Sequence, residues 1–470
     1  MIWLVGAGAG DYGMFTLRGL EVLKRADVVI YDRLVGESIL SLIPDNAVRI
    51  DAGKISGHHK ISQNDIQNLI INYAQNGKNV VRLKGGDPFL FGRGGEEAQA
   101  IIQAGLDFEV VPGVSSALAV PEFSGIPVTH RDFCSGVNIF TGHDKNNLLP
   151  DFDNTTSIFL MSVGNSKILQ EKLISKYPSE TPCAIIENGT TSRERKFSTE
   201  LKSLNETIIK NNVKSPAIIV VGKVAELNLS WRKNLRLYGK RILITRPHGR
   251  GETLAEKLRN EGAEVILMPT IKTEIIKNSL NDKNLSGYDW IGFTSVTGVE
   301  SLFEILREND RDIREIGNSK IAAVGEATKN ALKSHGLKVD FVPKIYDVEN
   351  LAEGLSGRGK ILLFRALNGT KTKYNFDEIY IYETKYVKLK HIPDFSDIII
   401  FTSSSTVRGF VENTKDFRNT KVVCIGRQTA EEARNAGFVD IKISEKATED
   451  SIFNAILEIC PRKLQQQPPS

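Results

Sequence analysis

Two glycine-rich segments near the N-terminus carry residue types that suit close contact with a ligand. Residues 82–95 read RLKGGDPFLFGRGG, and residues 5–11 read VGAGAGD. Glycine allows the backbone to approach a bound molecule closely and to adopt turns that other residues avoid. Because the chain contains two such segments, we expect both loops to contact one ligand.

A dinucleotide site is the first alternative for these glycines. Residues 8–13, GAGDYG, match the pattern G-x-G-x-x-G, and Asp32 stands about where a ribose-binding carboxylate would follow. This pattern leaves open a nicotinamide-dependent oxidoreductase. Asp11 argues against it, because a carboxylate at the N-terminus of the next helix would repel a pyrophosphate. The second glycine-rich loop also argues against it, since a dinucleotide fold needs only one.

The composition is that of a globular protein and argues against several classes of function. The chain has 470 residues, a net charge of +4, 41% apolar and 25% charged residues, and this length suits two to four domains. Dense basic runs and long apolar runs are missing, so we expect neither a nucleic-acid partner nor a membrane partner. The four cysteines are isolated, so we expect no metal site and a cytoplasmic protein with reduced thiols.

The hydrophobic pattern predicts an α/β protein. Over residues 1–111, short apolar runs alternate with helical patterns, which is typical of a parallel sheet covered by helices. Ser62 is the predicted N-cap of one helix and Gly77 its predicted stop. Residues 115–227 predict a second, mixed α/β lobe with more strands than long helices. Residues 228–239 are polar and basic and indicate a linker, and residues 461–470 indicate a disordered tail.

The second half of the chain contains an internal repeat. Residues 288–304 are similar to 395–412, residues 320–336 to 421–437, and residues 239–247 more weakly to 359–366. Each module is a buried strand followed by a turn of small residues and a helix. The same modules therefore occur twice in the same order, which predicts two copies of one α/β subdomain.

Eight motifs in residues 1–227 together resemble the uroporphyrinogen-III C-methyltransferases of the tetrapyrrole methylase family. In order, they are VGAGAGD, DVVIYDRLV, DAGK, VVRLKGGDPFLFGRGGEE, VVPGVSSALA, GIPVTHRD, TGH and ENGT. The resemblance implies a two-lobed fold with S-adenosylmethionine between the lobes. It also implies methylation of uroporphyrinogen III at C2 and C7 to give precorrin-2, and a homodimer formed through this domain.

The resemblance also implies which residues form this site. Asp32 and Lys54 align with a proposed acid/base pair, which the reaction needs because the methylated macrocycle must lose a proton. Taken alone, Asp32 could instead pair with Arg33 or cap a helix, and Lys54 could be a solvated loop lysine. The residues implied to line the cofactor pocket are Ala9, Gly85, Gly86, Asp87, Leu90, Ser115, Ser116, Met161 and Gly189.

The chain departs from this family's pattern at two places in the pocket. Ala9 stands where the family usually has proline, and Leu160-Met161-Ser162 stands where it usually has Tyr-Met-Gly. The eight carboxylates of the implied substrate need several donors. For them the sequence offers basic residues near the motifs, namely Arg82, Lys84, Arg93 and Arg131, and the histidines His58, His59, His130 and His143.

Residues 240–460 resemble the uroporphyrinogen-III synthases more loosely. The motifs are RILITRP, YDWIGFTS, AAVGEAT, GLKVDFVP, IFTSSSTVRGF and IGRQTAEEARNAGF. The resemblance implies two similar lobes joined by a two-stranded connection, with lobe one at 240–272 plus 388–460 and lobe two at 276–384. It implies cyclisation of hydroxymethylbilane with inversion of ring D, without a cofactor. Tyr382 aligns with a tyrosine proposed to assist loss of the hydroxyl, and Thr429 with a threonine of a G-P-T-T loop, which here reads GRQT.

Two interpretations of the second half remain open. The chain is either a bifunctional enzyme or a methyltransferase with a non-catalytic module that presents substrate. The basic residues at the linker, Arg232, Lys233, Arg236 and Lys240, suggest that it could keep a polyanionic intermediate nearby. An ordinary solvated connector is the alternative. The sequence does not indicate whether the product enters siroheme, cobalamin or modified haem.

Overall fold

The computed structural model of the chain describes residues 1–53, 62–142, 154–281, 283–369, 371–414 and 416–461. These residues form four five-stranded sheets, two in each half of the chain. Four residues singled out above, Lys54, His58, His59 and His143, lie outside the described residues, as do residues 462–470 of the expected tail. Within the described ranges, no helix is long and apolar enough to cross a membrane.

The first sheet is parallel, with strand order β3-β2-β4-β1-β5 and helices packed on both faces. Ser62 caps α3 as predicted, because its hydroxyl accepts a hydrogen bond from the Asp65 N–H and the Asp65 carboxylate accepts one from the Ser62 N–H. The predicted parallel, helix-covered sheet is therefore confirmed. Its elements are β1 (Ile2–Gly6), α1 (Leu17–Lys24), β2 (Val28–Tyr31), α2 (Glu37–Leu40), β3 (Val48–Asp51), α3 (Gln63–Gln75), β4 (Val80–Lys84), α4 (Gly94–Gln103) and β5 (Phe108–Val111).

The strand order of this sheet differs from that of a dinucleotide-binding fold. In that fold β1 lies beside β2, whereas here β4 lies between them and pairs with both. The end of β2, where Asp32 follows, therefore faces the end of β4 and not the loop after β1. This placement removes the structural basis for assigning Asp32 to a ribose.

The second sheet is mixed, with strand order β6-β7-β10-β8-β9. Only β6 and β7 pair in parallel, and the other neighbours are antiparallel. The predicted mixed sheet with few long helices is thus confirmed. Its elements are α5 (Ser116–Phe123), β6 (Gly136–Thr141), β7 (Thr155–Leu160), α6 (Ser166–Ile174), β8 (Pro182–Glu187), β9 (Arg195–Glu200), α7 (Leu204–Lys210) and β10 (Ala217–Val221).

The third sheet is parallel, with strand order β12-β11-β18-β19-β20, and is built from two separate stretches of chain. The first stretch supplies β11 (Arg241–Ile244), α8 (Glu252–Asn260) and β12 (Glu264–Leu267). The second supplies β18 (Ile398–Phe401), α12 (Ser404–Asn413), β19 (Lys421–Cys424), α13 (Arg427–Asn435), β20 (Ile441–Ile443) and α14 (Glu449–Ile459). Between the two stretches the chain forms the fourth sheet.

The fourth sheet has the order β13-β17-β16-β14-β15. Its first two strands form the antiparallel connection between the lobes, with Ile271 opposite Tyr386 and Ile275 opposite Tyr382. The chain leaves lobe one along β13 and returns along β17. The elements are β13 (Ile271–Ile275), β14 (Trp290–Phe293), α9 (Val296–Glu308), β15 (Lys320–Ala323), α10 (Glu326–Ser334), α11 (Val348–Leu355), β16 (Ile361–Ala366) and β17 (Asp377–Tyr386).

The internal repeat of the sequence is visible in the two lobes. Strands β11, β18 and β19 lie side by side in one lobe, and the corresponding strands β16, β14 and β15 do so in the other. The turns match as well, since Gly325 before α10 and Gly426 before α13 both have an extended backbone with φ of −172°. The predicted duplication is therefore confirmed.

The segment 228–239 is packed between the two halves of the chain. Leu237 is fully buried in the core of the third sheet, and the Arg232 guanidinium lies 4.6 Å from the centre of the Phe123 ring. Arg236 donates hydrogen bonds to the carbonyls of Leu457 and Cys460 at 2.6 and 3.0 Å. The connector is therefore anchored at Arg232, Arg236 and Leu237, whereas Trp231 and Lys233 remain exposed.

Further contacts dock the synthase-like lobe one directly on the first half. The Glu264 carboxylate accepts hydrogen bonds from the Ser192 N–H and hydroxyl, at 2.9 and 2.5 Å. Arg193 forms an ion pair with Asp394 at 2.9 Å. On another element, Lys390 donates to the Asp45 carbonyl at 3.0 Å. The two halves therefore share a fixed interface in addition to the covalent connection.

Three glycines from three loops meet at the carboxyl ends of β1, β4 and β5. A Cβ on Gly113 would lie 2.2 Å from the Gly86 carbonyl oxygen and 2.7 Å from the Gly6 Cα. Since backbone atoms cannot move aside without shifting a loop, no larger residue fits there.

We therefore expect Gly113→Ala to destabilise the first domain by roughly 1–3 kcal/mol through overpacking. Urea unfolding of the full chain, followed by circular dichroism, measures the effect. Gly95→Ala is the matched control, because a Cβ there meets no atom within 4 Å. Equal unfolding midpoints for Gly113→Ala and Gly95→Ala would contradict the close packing.

Candidate functional site

The two glycine-rich loops are joined by backbone hydrogen bonds. The Gly86 N–H donates to the Gly8 carbonyl at 2.7 Å, and the Gly8 N–H donates to the Gly86 carbonyl at 3.2 Å. Gly86 has a φ of +71°, and a Cβ there would approach the Ser116 nitrogen at 3.6 Å. Ser115 caps α5 through the Ala117 N–H. The structure thus brings the loops after β1, β4 and β5 together at one edge of the sheet.

The Asp87 carboxylate organises the loop in which it lies. One oxygen accepts hydrogen bonds from the Phe89 and Leu90 N–H groups at 2.8 and 3.1 Å, and the other accepts one from the Gly113 N–H at 3.1 Å. All three are backbone donors, so the side chain fixes the turn and attaches it to the loop after β5. An Asp followed by Pro at a turn is the sequence signal for this role.

Two implied pocket residues pack between the two lobes. Ala9 and Leu90 both contact the apolar cluster that contains Val120 of α5. A Cβ on Gly189 would lie 2.3 Å from a Val120 methyl group. The Thr190 hydroxyl donates to the Ala9 carbonyl at 2.5 Å. Ala9, Leu90 and Gly189 therefore lie in one region between the two lobes.

The last two residues of the implied pocket, Gly85 and Met161, lie at the margins of this region. A Cβ on Gly85 would lie 2.9 Å from the Leu34 Cβ, so Gly85 packs on the loop after β2. Met161 is 44% exposed with a φ of +55°. With Phe89, Phe91 and Arg93 it lines an open cavity of about 600 Å³.

A charge cluster of four side chains lies behind the second glycine-rich loop. Arg82 forms ion pairs with Asp32 and with Glu97, the latter at 3.1 Å. Lys84 contacts Glu97 at 3.0 Å and Asp32 at 3.8 Å. Arg82, Lys84 and Glu97 are almost completely buried, whereas a third of the Asp32 side chain is exposed. Asp32 is thus the member of the cluster that a ligand can reach.

Burial of the cluster decides what its members can do. Desolvation, followed by the neighbouring Arg82 guanidinium, lowers the pKa of Lys84. Because Arg82 and Lys84 are buried and paired, neither is available to the carboxylates of a substrate, and that part of the expectation is wrong. Arg93 and Arg131 remain exposed. His130 stacks on Phe133 with ring centres 4.5 Å apart.

Sequence reasoning missed the role of Glu97. It lies on α4 together with the buried residues Gly94, Ala98 and Ile101, which follow the spacing of one helix face. A carboxylate on an otherwise buried face is the signal that could have identified it, because such a group needs a cationic partner. Among the described residues, no group of three or more His, Cys, Asp or Glu side chains could hold a metal ion.

Hydroxyl groups cluster where the strands of lobe two end. The Tyr382 and Ser295 hydroxyls are 2.8 Å apart, and the Ser295 oxygen also accepts a hydrogen bond from the Gly298 N–H at the start of α9. Burial raises the pKa of Tyr382, so the phenol stays protonated at neutral pH. Arg250 donates to the Thr297 hydroxyl at 2.6 Å and was not singled out from the sequence.

Lobe one has a similar cluster without a tyrosine. Ser403 caps α12 through the Thr406 N–H, and Thr429 lies buried in the first turn of α13. Ser404 donates to the Gln428 carbonyl at 3.4 Å, which joins the two helix starts. Tyr382 and Thr429 lie on different lobes, and no hydrogen bond of the described residues links them.

Comparisons with known proteins agree with this division of the chain into two halves. Residues 1–205 match the family model for tetrapyrrole (corrin/porphyrin) methylases, and residues 252–454 match that for uroporphyrinogen-III synthase HemD. A porphyrin biosynthesis protein HemD of Ruminiclostridium josui is 40% identical, with 97% of each chain covered. The chain belongs to the tetrapyrrole methylases and, by its second half, to the uroporphyrinogen-III synthases. Both resemblances and the two-lobed α/β folds are confirmed.

Other relatives cover less of the chain. A uroporphyrinogen-III C-methyltransferase of Bacillus subtilis is 37% identical, with 73% of each chain covered. Siroheme synthases of Escherichia coli are 44% identical, and the chain spans about half of their length. A solved uroporphyrin-III-C-methyltransferase of Thermus thermophilus is 38% identical over 48% of this chain and 94% of its own, with a TM-score of 0.43. The two family models thus match successive parts of one chain, a tetrapyrrole methylase domain followed by a uroporphyrinogen-III synthase domain.

The duplicated lobes provide a matched pair of variants. Ser295→Ala and Ser403→Ala each remove a helix cap, and each should lower the free energy of unfolding by about 1 kcal/mol. Only Ser295→Ala also removes the hydrogen-bond partner of the Tyr382 hydroxyl. Only that variant should therefore lower the synthase turnover rate, by ~10-fold. Urea unfolding and synthase turnover measure the two effects. Equal turnover in both variants would show that Tyr382 does not depend on Ser295.

Proposed function

We propose that the second half of the chain cyclises hydroxymethylbilane to uroporphyrinogen III with inversion of ring D. The first half then methylates this product at C2 and C7 with S-adenosylmethionine, which gives precorrin-2. The observation that carries the methyltransferase part is the partly exposed Asp32 carboxylate, held by Arg82 beside the joined glycine loops. Membership of both families and the methyltransferase relative support it.

The joined loops fit S-adenosylmethionine, which supplies an electrophilic methyl group when bound. Gly86, next to Gly85, has no side chain, so a ligand can approach its Cα closely beside Ser115 and Ser116 while its N–H and carbonyl stay bonded to Gly8. Ala9 and Leu90 supply an apolar wall for an adenosine. Ser115 and Ser116 add polar groups at the start of α5. Asp87 acts indirectly in this proposal, by fixing the loop that carries the glycines.

Asp32 is proposed to accept the proton that the macrocycle loses after methylation. Arg82 holds the carboxylate in one orientation while the other side stays exposed. Lys54, the proposed partner of Asp32, lies outside the described residues.

In the synthase half, Tyr382 is proposed to donate a proton to the hydroxyl that hydroxymethylbilane loses. Its raised pKa keeps the phenol protonated, and Ser295 holds it in place. The electrophile formed by this loss needs positioning more than further activation. Thr429 is proposed to contact substrate at the start of α13. We propose that this half needs no cofactor, and that chains form homodimers through the methyltransferase domain.

The second candidate for this half is a non-catalytic module that presents substrate. The Tyr382–Ser295–Arg250 region favours an enzyme, because a module that only binds substrate needs no buried phenol. Turnover of hydroxymethylbilane by the full chain decides between them. A nicotinamide-dependent oxidoreductase is disfavoured by the strand order, and titration of the full chain with NAD and with S-adenosylhomocysteine tests it directly.

Asp32→Asn should keep affinity for S-adenosylhomocysteine within ~3-fold and lose methyl transfer by about 10²–10⁴-fold, because it removes the proton acceptor with little change in shape. Single-turnover methylation and calorimetric titration measure the two quantities. Asp107→Asn, an exposed aspartate of the same domain, is the control. Near-native methylation by Asp32→Asn would reduce Asp32 to a structural residue.

Asp87→Ala should weaken binding of S-adenosylhomocysteine at least ~10-fold, because three backbone N–H groups lose their acceptor and the loop relaxes. Cyclisation of hydroxymethylbilane should be unchanged, since that site lies on other sheets. Both activities are measured on the same preparation of the full chain. Parallel loss of both activities in a folded variant would contradict separate sites.

A further inference from the structure

Three of the four basic residues at the connector already have partners. Arg232 lies within 4.0 Å of the Asp11 and Glu194 carboxylates. Arg236 is bonded to carbonyls of α14 and its neighbour, and Lys240 forms an ion pair with Asp397 at 3.2 Å. Lys233 is exposed and forms no ion pair among the described residues, but a single cation offers little hold on a molecule that carries several carboxylates. A surface that retains such a molecule must therefore include residues outside the connector.

A cavity at the junction of the two halves is lined by more basic than acidic side chains, the acidic ones being Glu37 and Asp45. It has a volume of about 310 Å³ and is lined on one side by α2, Asp45 and Arg49 of the first half. We call it the junction cavity. Basic side chains of the second half line its other side, namely His248, Lys272, Lys388, Lys390 and His391. The volume lies at the lower end of those seen for ligand sites.

Several of these groups already have partners, and two have capacity left. His391 forms an ion pair with Glu37 at 2.5 Å, and Lys390 donates to the Asp45 carbonyl. The Arg49 Nε is buried and has no hydrogen-bond partner among the described residues. Lys388 is exposed and makes no ion pair within the part of the chain that the structure describes. The cavity therefore offers a guanidinium and an ammonium to an anion.

The junction cavity adjoins the region of Tyr382. A neighbouring cavity of about 310 Å³ is lined by Arg250 and Thr297 and shares Asp45, His248 and Lys272 with it. Arg250 lies close enough to Tyr382 to influence its ionisation. A molecule that leaves the proposed synthase site on this side meets the junction cavity next.

The other wall of the junction cavity belongs to the edge of the first sheet. Arg49 lies on β3, two residues before Asp51, and Asp51 pairs in register with Tyr31 on β2. Asp32 follows Tyr31 directly. The cavity is thus flanked by the strand next to the one that carries the proposed proton acceptor.

From these positions we infer that the junction cavity is a binding site for the carboxylate groups of the tetrapyrrole intermediate on its way between the two halves. The inference rests on the proposed function. Carboxylates bind guanidinium and ammonium groups through charge-assisted hydrogen bonds. Some of the carboxylate side chains hold the macrocycle at the junction, while the rest of the macrocycle stays free to move toward Asp32. Local retention raises its effective concentration at the second site.

Isotope dilution tests the inference on the full chain. Labelled hydroxymethylbilane and S-adenosylmethionine are supplied at low salt together with excess unlabelled uroporphyrinogen III, and the label in precorrin-2 is measured. The variants are Lys388→Gln and Lys388→Glu, which change the charge in two steps. Lys333→Glu is the control, because Lys333 is exposed on α10 and does not line the junction cavity.

If the intermediate is retained, precorrin-2 made by the wild-type protein should contain at least ~3-fold more label than it would if the intermediate mixed freely with the unlabelled uroporphyrinogen III. This excess should fall with Lys388→Gln, vanish with Lys388→Glu and persist with Lys333→Glu. Added salt should remove it, because salt screens the charges. Full dilution of the label in the wild type, or equal labelling in all variants, would overturn the inference. Absence of labelled and unlabelled precorrin-2 alike would overturn the proposed function itself.

Discussion

Two positive charges inside a parallel sheet impose the constraint on which the methyltransferase half depends. Arg82 and Lys84 lie on β4, and neither could be buried without a carboxylate, since an uncompensated interior charge costs several kcal/mol. Glu97 supplies it at about 3 Å from both. Lys84 precedes the glycine loop and Glu97 follows it, so this ion pair also fixes the distance between the two ends of the loop. The same cations hold Asp32 at the neighbouring strand.

Much of the fold follows from local patterns in the sequence. Apolar runs located the strands, Ser62 identified the start of α3, and repeated motifs revealed the duplicated lobes. These signals are local because strands, caps and small-residue turns depend on neighbouring residues. The strand order does not follow from local patterns. It decided the interpretation of Asp32, because in the strand order of a dinucleotide-binding fold a carboxylate at this position would face a ribose.

Side-chain roles were less predictable where the partners are distant in sequence. We expected Arg82 and Lys84 to be exposed donors to the substrate carboxylates, since long basic side chains are seldom buried. For Arg236, the sequence left open a solvated connector or the retention of an intermediate, and its carbonyl partners lie more than 200 residues away. The resemblance placed Asp87 in the cofactor pocket, and the structure adds that its oxygens accept hydrogen bonds from backbone N–H groups. In each case the residue type was informative and the partner was not visible without the fold.

The chain passes from lobe one to lobe two and back, and this path has a consequence for how the protein folds as it is made. β11 is interior to the third sheet and pairs with β18, which is made only after lobe two. A ribosome adding 5–20 residues per second needs roughly 8–30 s for the intervening stretch of about 150 residues. During that time lobe two can fold as a complete unit, whereas β11 presents an unpaired edge. Until β18 is made, the nascent chain therefore carries an open strand edge of the kind that favours aggregation.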